Sequence, residues 1–216
     1  MSGAPAPARW LLIAAVVAGA SYLASWGLPL APPPAIAWKG AGVTLLALYA
    51  AARARSLDGW LLCAVMAFGA MGDMLLEIAG LTLGALAFLA GHGVAIGLYW
   101  RNRRPSPGRL ALLLVPATVI VAFLLPADRA SAPGVAVYAL GLSLMAVCAW
   151  TSRFPRSRVG AGALMFLVSD LLIFARAGPL HGQAWVGFVI WGLYFAGQAL
   201  IAVGVTDTLS GRTVRS

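Results

Sequence analysis

Residues 60–79 read WLLCAVMAFGAMGDMLLEIA, a run that is apolar almost throughout and whose only ionisable acids are Asp73 and Glu77. Because an α-helix rises 1.5 Å per residue, about 20 such residues are enough to cross the hydrocarbon core of a membrane. The rest of the chain has the same character, with 62% hydrophobic and 10% charged residues. A soluble domain of 216 residues has no need of so much apolar surface. The sequence therefore predicts an all-α integral membrane protein.

Eight apolar windows of this kind lie along the chain, and they predict a polytopic bundle of eight transmembrane helices. Nothing is left over for a soluble domain, so residues 1–216 are expected to form a single membrane domain. The first window follows Arg9 and resembles a signal peptide, but its length and its continuation into further windows favour a retained helix. The fifth window is the shortest. The windows are residues 10–26, 35–52, 60–79, 81–100, 110–125, 133–150, 159–176 and 184–205.

The positive charges predict which side of the membrane each loop occupies. The formal net charge is +9, and of the 15 lysines and arginines only Lys39, Arg129 and Arg176 lie outside the termini and the alternate loops on one side. The positive-inside rule therefore places both termini in the cytoplasm and the protein in the inner, or plasma, membrane. Such arginines set topology and contact anionic lipid, and we do not expect them to bind nucleic acid. The one-sided arginines are Arg9, Arg53, Arg55, Arg101, Arg103, Arg104, Arg109, Arg153, Arg156, Arg158, Arg212 and Arg215.

Two aspartates stand inside apolar windows in similar short contexts. Asp73 lies in residues 68–76, FGAMGDMLL, and Asp170 lies in residues 166–172, FLVSDLL. An ionised carboxylate near the middle of a bilayer is costly, so an intramembrane acid indicates a functional site. The alternative is a structural acid that a Lys, Tyr or Gln satisfies across the bundle. The shared context favours a repeat that delivers both acids to one site.

A parallel four-plus-four duplication would explain the shared context. Residues 90–92, AGH, follow the third window, and residues 196–198, AGQ, follow the seventh. In the second window Lys39 stands where Tyr138 stands in the sixth. Windows three and seven run in the same direction, as do windows four and eight. Many membrane proteins place their binding site at the interface between such repeats.

The polar side chains inside the windows lie between the membrane midplane and the outer leaflet. Counting 1.5 Å per residue places Asp170 and His92 near the midplane and Asp73 slightly outward of it. This asymmetry predicts a polar pocket that opens toward the outer leaflet. Simpler alternatives are a hydrogen-bonded core His92, ordinary interhelical hydrogen bonds, and a Lys39 that only neutralises Asp73. The supporting residues predicted for the pocket are Lys39, Glu77, His92, Arg176, Tyr194 and Gln198.

Other common chemistries find little support in the sequence. A zinc site needs three or four His, Cys or carboxylate ligands, and the chain has two histidines, of which His181 falls in an outer loop. Cys63 and Cys148 each lie within an apolar window and are expected to be packing residues. The sequence contains no nucleophile elbow and no phosphate-binding glycine loop. We therefore expect neither a metal nor a cofactor.

Four short motifs follow one another along the chain, and they are Phe68-Gly69-x-x-Gly72-Asp73, Gly84-x-x-x-Phe88-x-x-x-His92, Phe166-x-x-Ser169-Asp170 and Tyr194-x-x-x-Gln198-x-Leu200-Ile201. This ordered set resembles the YhhN family of membrane lysoplasmalogenases, from Lys39 to Ile201 and with eight spans. The chain departs from the family pattern at Gly40, where a Pro often follows the Lys, and at Ala95, where a Tyr often stands.

The resemblance implies hydrolysis of the vinyl ether bond of lysoplasmalogens, taken from the bilayer, to a fatty aldehyde and a glycerophospho-choline or glycerophospho-ethanolamine. It also implies that Asp73 and Asp170 are the catalytic acids. This chemistry suits two buried carboxyls, because one must protonate the alkenyl carbon while the other, ionised, stabilises the oxocarbenium ion and accepts a proton from water. Asp170, with no cation nearby in its sequence, is interpreted as the acid, and Asp73, nearer Lys39, as the anion.

Two non-enzymatic functions also fit the sequence. A proton-coupled transporter of lipids or small molecules would use the same intramembrane acids as a proton relay, and parallel repeats suit that function too. A structural or sensing membrane protein would use them for packing alone. Release of aldehyde by the purified protein separates the hydrolase from both, whereas uptake that depends on a proton gradient indicates the transporter.

Overall fold

The computed structural model describes residues 6–104 and 109–211 of the chain. Over these residues the fold is all-α, with eight α-helices and no β-strand, so the predicted fold class is confirmed. Arg212 and Arg215 of the one-sided arginines, and the side chain of Arg109, lie outside the described residues. The helices are α1 Ala6–Ser25, α2 Pro32–Arg53, α3 Leu57–Ile78, α4 Leu81–Arg101, α5 Leu114–Leu124, α6 Ala132–Thr151, α7 Ala161–Arg176 and α8 Trp185–Leu209.

Several helix ends follow local sequence signals. Prolines occupy the first positions of α2 and α6, where their missing N–H is not needed by the helix. The Ser56 hydroxyl caps α3 by accepting a hydrogen bond of 3.3 Å from the backbone N–H of Gly59. Gly80 has a φ of 83°, a left-handed conformation that favours glycine, and it separates α3 from α4. These signals set the limits of the membrane helices within a few residues of the predicted windows.

The fifth segment is built differently from the other seven. In the described part of the chain, seven helices are long and apolar enough to cross a membrane, whereas the apolar segment Leu110–Leu124 is shorter. It begins as the 3-10 turn Arg109–Leu113 and continues as α5. A 3-10 turn rises about 2.0 Å per residue, so the two pieces together extend roughly 27 Å, close to the hydrocarbon thickness. The predicted window 110–125 is therefore a composite helix and not a uniform α-helix.

Large apolar side chains are exposed along the helices. Examples are Trp60, Leu86, Leu124, Val137 and Phe188. In water such a surface would be unfavourable, but in a bilayer the surrounding solvent is as apolar as these side chains. Together with the seven long apolar helices, this surface identifies a multi-pass membrane protein.

The chain divides into two compact units whose boundaries fall inside α4 and α8. The first unit contains residues up to 95 together with those from 202 onward, and the second contains residues 96–201. In the first unit α2 packs against both α1 and α3, and in the second α6 packs against both α5 and α7. The single-domain interpretation of residues 1–216 stays a prediction.

A buried arginine joins α2 to the end of α8 within the first unit. The Arg53 Nη1 atom lies 2.9 Å from Asp207 Oδ1, and the Arg53 side chain is nearly inaccessible. One helical turn earlier, the Tyr49 hydroxyl lies 3.1 Å from the Thr206 hydroxyl. Because the guanidinium is almost inaccessible to water and pairs with this carboxylate, the contact fixes the C-terminal end of α8 against α2.

A close approach of α3 and α4 in the first unit depends on Gly91. A Cβ atom at this position would lie 3.0 Å from the Phe68 Cβ atom and 3.7 Å from the Val65 carbonyl oxygen. Phe68 and Val65 stand five and eight residues before Asp73 on α3. The glycine therefore allows α4 to approach closely the turns of α3 that precede the aspartate.

The same pair of contacts recurs between α7 and α8 in the second unit. A Cβ atom at Gly197 would lie 3.4 Å from the Met165 Cβ atom and 2.6 Å from the Gly162 carbonyl oxygen. Met165 and Gly162 again stand five and eight residues before an aspartate, here Asp170. The recurrence supports the four-plus-four duplication, which stays a prediction.

The topology is open to a direct test. Reporter fusions made after Ser131, which precedes α6, and after Ser157, which precedes α7, should report the outside and the cytoplasm respectively. The alternating arginine-rich loops give this expectation through the positive-inside rule. Reporters that give the same side for both fusions would contradict the assignment of cytoplasmic termini.

The glycine contact between α7 and α8 predicts a difference between two substitutions on one helix. Gly197→Ala should lower the free energy of unfolding by about 1–3 kcal/mol, because the added methyl group overpacks against a backbone oxygen. Gly192→Ala is the matched control, since nothing lies within 4 Å of a Cβ there. It should be neutral or stabilise by up to about 1 kcal/mol. Thermal unfolding in detergent measures both, and equal effects would show that the close approach is unimportant.

Candidate active site

Asp170 lies on α7 in the second unit with only 5% of its surface exposed. Its Oδ2 atom accepts a hydrogen bond of 2.6 Å from the Tyr138 hydroxyl on α6. Its Oδ1 atom accepts a longer one, of 3.3 Å, from the hydroxyl of the adjacent Ser169. Both carboxyl oxygens are therefore next to hydroxyl groups, and both hydroxyls are neutral donors.

The aromatic ring of Tyr138 is held in place by a second contact with α7. It meets the Phe174 ring edge to face, with the centroids 5.7 Å apart. Phe174 stands one helical turn beyond Asp170, so a single side chain of α6 contacts two successive turns of α7. Sequence reasoning named Tyr138 only as the counterpart of Lys39 in the duplication and did not place it in the site. That correspondence could have identified Tyr138 as a site residue, because Lys39 was already predicted to support the pocket.

The predicted supporting residues Tyr194 and Gln198 are buried on α8, as is Trp191. Trp191, Tyr194 and Gln198 are each at most 5% exposed. The Tyr194 ring lies 5.1 Å from the Phe166 ring on α7, and 5.6 Å from the Trp191 ring one turn earlier on α8. Because Phe166 is one turn before Asp170, this aromatic cluster packs α8 onto the stretch of α7 that carries the aspartate. The roles of Tyr194 and Gln198 toward a substrate stay predictions.

Asp73 and His92 are the buried polar groups of the first unit's α3 and α4. They are 2% and 4% exposed respectively. A Cβ atom at Gly72, next to Asp73, would lie 2.7 Å from the Phe88 ring, and Phe88 stands one turn before His92. The helices that carry these two groups are thus packed together through Phe88. Their catalytic and supporting roles stay predictions.

Lys39 has a different partner from the one suggested by the sequence. Its Nζ atom lies 2.6 Å from Glu77 Oε1, with side-chain exposures of 13% for the lysine and 47% for the glutamate. The reading in which Lys39 neutralises Asp73 is therefore wrong. Lys39 is near the start of α2 and Glu77 near the end of α3, so these two residues meet at the same ends of antiparallel helices. Asp73 lies one turn deeper along α3 than Glu77.

Arg176 is the last residue of α7, and its side chain is exposed. It lies about 9 Å along the helix axis from Asp170, because six residues separate the two at 1.5 Å each. The structure therefore does not bring Arg176 into the cluster of Asp170, Tyr138 and Ser169. Its place is at the membrane-surface end of the same helix.

The described residues contain no group of three or more His, Cys, Asp or Glu side chains placed to hold a metal ion. Cys63 and Cys148 are free thiols of intermediate burial, one in each unit. A buried carboxyl flanked by two hydroxyls can donate a proton and can stabilise the anion left behind.

Comparison with known proteins agrees with the resemblance seen in the motifs. Residues 34–205 match the family model described as the YhhN family. No curated protein and no solved structure matches the chain. The matched segment runs from the beginning of α2 to the last part of α8 and includes both buried aspartates. The chain belongs to the YhhN family.

Proposed function

We propose that the chain is a membrane hydrolase that cleaves the vinyl ether bond of lysoplasmalogens. Membership of the YhhN family suggests a membrane protein of the lysoplasmalogenase family. The observation that carries the proposal is the buried Asp170 carboxyl with the Tyr138 hydroxyl 2.6 Å from one oxygen and the Ser169 hydroxyl near the other. The products would be a fatty aldehyde and a glycerophospho-choline or glycerophospho-ethanolamine.

In the proposed reaction Asp170 begins as the carboxylic acid. Its proton is transferred to the alkenyl carbon distal to the ether oxygen, and the π electrons of the double bond form the new C–H bond. The oxocarbenium ion that results is attacked by water, whose proton passes to the Asp73 carboxylate. The hemiacetal then collapses as its hydroxyl proton moves to the departing glycerol oxygen. The net change is addition of one water, and the proton on Asp73 returns to Asp170 through solvent.

Tyr138 and Ser169 act as the proton leaves Asp170. Negative charge develops on the carboxyl group in the transition state, and both hydroxyls already lie next to its oxygens. Hydrogen bonds to an ionised group are stronger than those to a neutral one, so the two hydroxyls stabilise the transition state more than the ground state.

The substrate would enter from the bilayer with its head group toward the surface. Arg176 lies nearly two helical turns from Asp170 at the end of α7, so in this proposal it would contact the phosphate of a lipid whose vinyl ether reaches Asp170. Lys39 and Glu77 would also lie near the membrane surface. His92, Tyr194 and Gln198 would contact the part of the substrate that lies deeper in the bilayer. We also propose that Asp73 acts in the same reaction as Asp170, and that the protein lies in the inner membrane with cytoplasmic termini.

Substituting each aspartate tests the paired-acid mechanism. Asp73→Asn and Asp170→Asn keep side-chain volume but cannot exchange a proton, so each should lower aldehyde release from lysoplasmalogen by about 10²–10⁴-fold. Asp128→Asn is the control, because Asp128 is an exposed acid that accepts a backbone N–H in the loop before α6. It should keep the parent rate.

The outcome also separates the hydrolase from the transporter. An Asp73→Asn or Asp170→Asn variant with the parent rate would show that the paired-acid mechanism is wrong. Uptake of lipid driven by a proton gradient, with no aldehyde released by the parent protein, would favour the transporter instead.

Tyr138→Phe tests the role of the hydroxyl separately from that of the ring. The variant keeps the contact with Phe174 but removes the donor to Asp170. We expect kcat to fall about 10–100-fold, the equivalent of one hydrogen bond to a charged group, with KM unchanged because the hydroxyl contacts Asp170. Tyr22→Phe, on α1, is the matched control and should keep the parent kcat. A Tyr138→Phe variant that retains kcat would remove Tyr138 from the mechanism.

A further inference from the structure

A cavity of about 570 Å³ lies where α4 and α6 end in the second unit. It is separate from the candidate active site, since Thr151 in its wall is roughly 20 Å along α6 from Tyr138. Among the described residues its wall contains three arginines and no carboxylate. The lining residues are Tyr99, Trp100, Arg101, Arg103, Arg104, Cys148 and Thr151.

The backbone around the cavity is fixed by contacts between the segments that follow the two helices. Arg103 and Ser152 form an isolated antiparallel bridge. The Arg104 N–H donates to the Thr151 carbonyl oxygen at 3.1 Å. Asn102 accepts twice from Arg153, through its backbone oxygen at 2.7 Å and its side-chain oxygen at 2.6 Å. These contacts hold the cavity in shape before any ligand arrives.

Within the described residues, the Arg103 side chain has more hydrogen-bond donors than its contacts use. Arg103 lies over the Trp100 ring at 4.9 Å and donates from Nη1 to the Trp100 carbonyl oxygen at 3.2 Å. A guanidinium carries five N–H donors, so most of those on Arg103 point elsewhere. Arg104 is half-buried beside it. Two neighbouring guanidinium groups of this kind match the oxygens of a phosphate.

Tyr99 provides an independent indication of a ligand. Only 1% of this residue is exposed, and no partner within the described part of the chain hydrogen-bonds to its hydroxyl. Its ring is fixed edge to face against Phe154, with centroids 6.1 Å apart. A buried hydroxyl without a partner is costly, and few occur in native proteins. Because Tyr99 lines the cavity, an oxygen atom of a bound ligand can accept from this hydroxyl.

We propose that this cavity binds the phosphate of an anionic phospholipid head group. Trp100 is 59% exposed at the end of a membrane helix, the position at which tryptophan meets the interface between lipid and water. One turn before Cys148, the exposed side chain of Leu144 offers an apolar surface to the acyl chains of the same lipid. A phosphate bound to Arg103, Arg104 and Tyr99 would thus sit at head-group depth. The ligand is a bound lipid distinct from the substrate.

The test uses the full chain in detergent, titrated with phosphatidylglycerol, with phosphatidylcholine and with inorganic phosphate in separate arms. Bound lipid is counted by native mass spectrometry, and thermal unfolding is followed in parallel. Phosphatidylglycerol should be retained and should raise the unfolding temperature, whereas phosphatidylcholine and inorganic phosphate should do so weakly. Inorganic phosphate as effective as phosphatidylglycerol would overturn the assignment to a lipid.

Variants identify the residues that bind. The double variant Arg103→Gln, Arg104→Gln should weaken phosphatidylglycerol binding at least about tenfold, since it removes charge-assisted hydrogen bonds. Tyr99→Phe, which keeps the ring and its packing, should weaken binding severalfold while remaining folded. Arg55→Gln is the matched control, because Arg55 is an exposed arginine whose side chain donates to the neighbouring Ala54 carbonyl oxygen and does not line the cavity.

The outcomes are decisive whether or not the double variant folds. Unchanged binding in a folded double variant, or in Tyr99→Phe, would overturn the proposal. An equal loss in Arg55→Gln would also overturn it, because general surface charge would then explain the binding. None of these measurements depends on lysoplasmalogen hydrolysis.

Discussion

Each polar group inside the hydrocarbon must find its partner within the protein, and the rest of the structure depends on this constraint. The backbone meets it by forming helices over most of the described chain. Side chains meet it through contacts between helices, as Asp170 does with Tyr138. Each such pair joins two helices at a fixed depth. Satisfying a buried polar group and setting helix register are therefore achieved by the same contact.

Most of the fold could be predicted because the bilayer imposes one length on every span. Apolar windows of about 20 residues predicted the helices, whereas the orientation that follows from the arginine-rich loops stays a prediction. Two local features were outside the reach of this reasoning. Hydropathy does not distinguish a 3-10 turn from an α-helix, so the composite nature of the fifth segment was missed. The same holds for the π-helical turn Arg156–Gly160 before α7.

The candidate site could be predicted only in part. Asp73 and Asp170 stood out because ionisable residues are rare in apolar runs. Tyr138 did not, because tyrosine is an ordinary residue of membrane helices and its importance comes from the 2.6 Å contact with α7. The partner of Lys39 was misjudged for a related reason. Sequence places Lys39 near the outer end of α2 but does not say which turn of α3 it meets, and Glu77 is there.

The two aspartate-bearing helices combine a common scaffold with different polar partners. The glycine contacts of α3 with α4 and of α7 with α8 fall at equal distances in sequence from Asp73 and Asp170. In the predicted duplication, Lys39 on α2 corresponds to Tyr138 on α6, and the cation pairs with Glu77 whereas the neutral hydroxyl donates to Asp170. A nearby ion pair and a neutral donor give two carboxyls different electrostatic surroundings. Acid–base catalysis by two like groups requires that difference, because one must hold a proton while the other accepts one. Duplication followed by divergence of the partners is a direct way to obtain it.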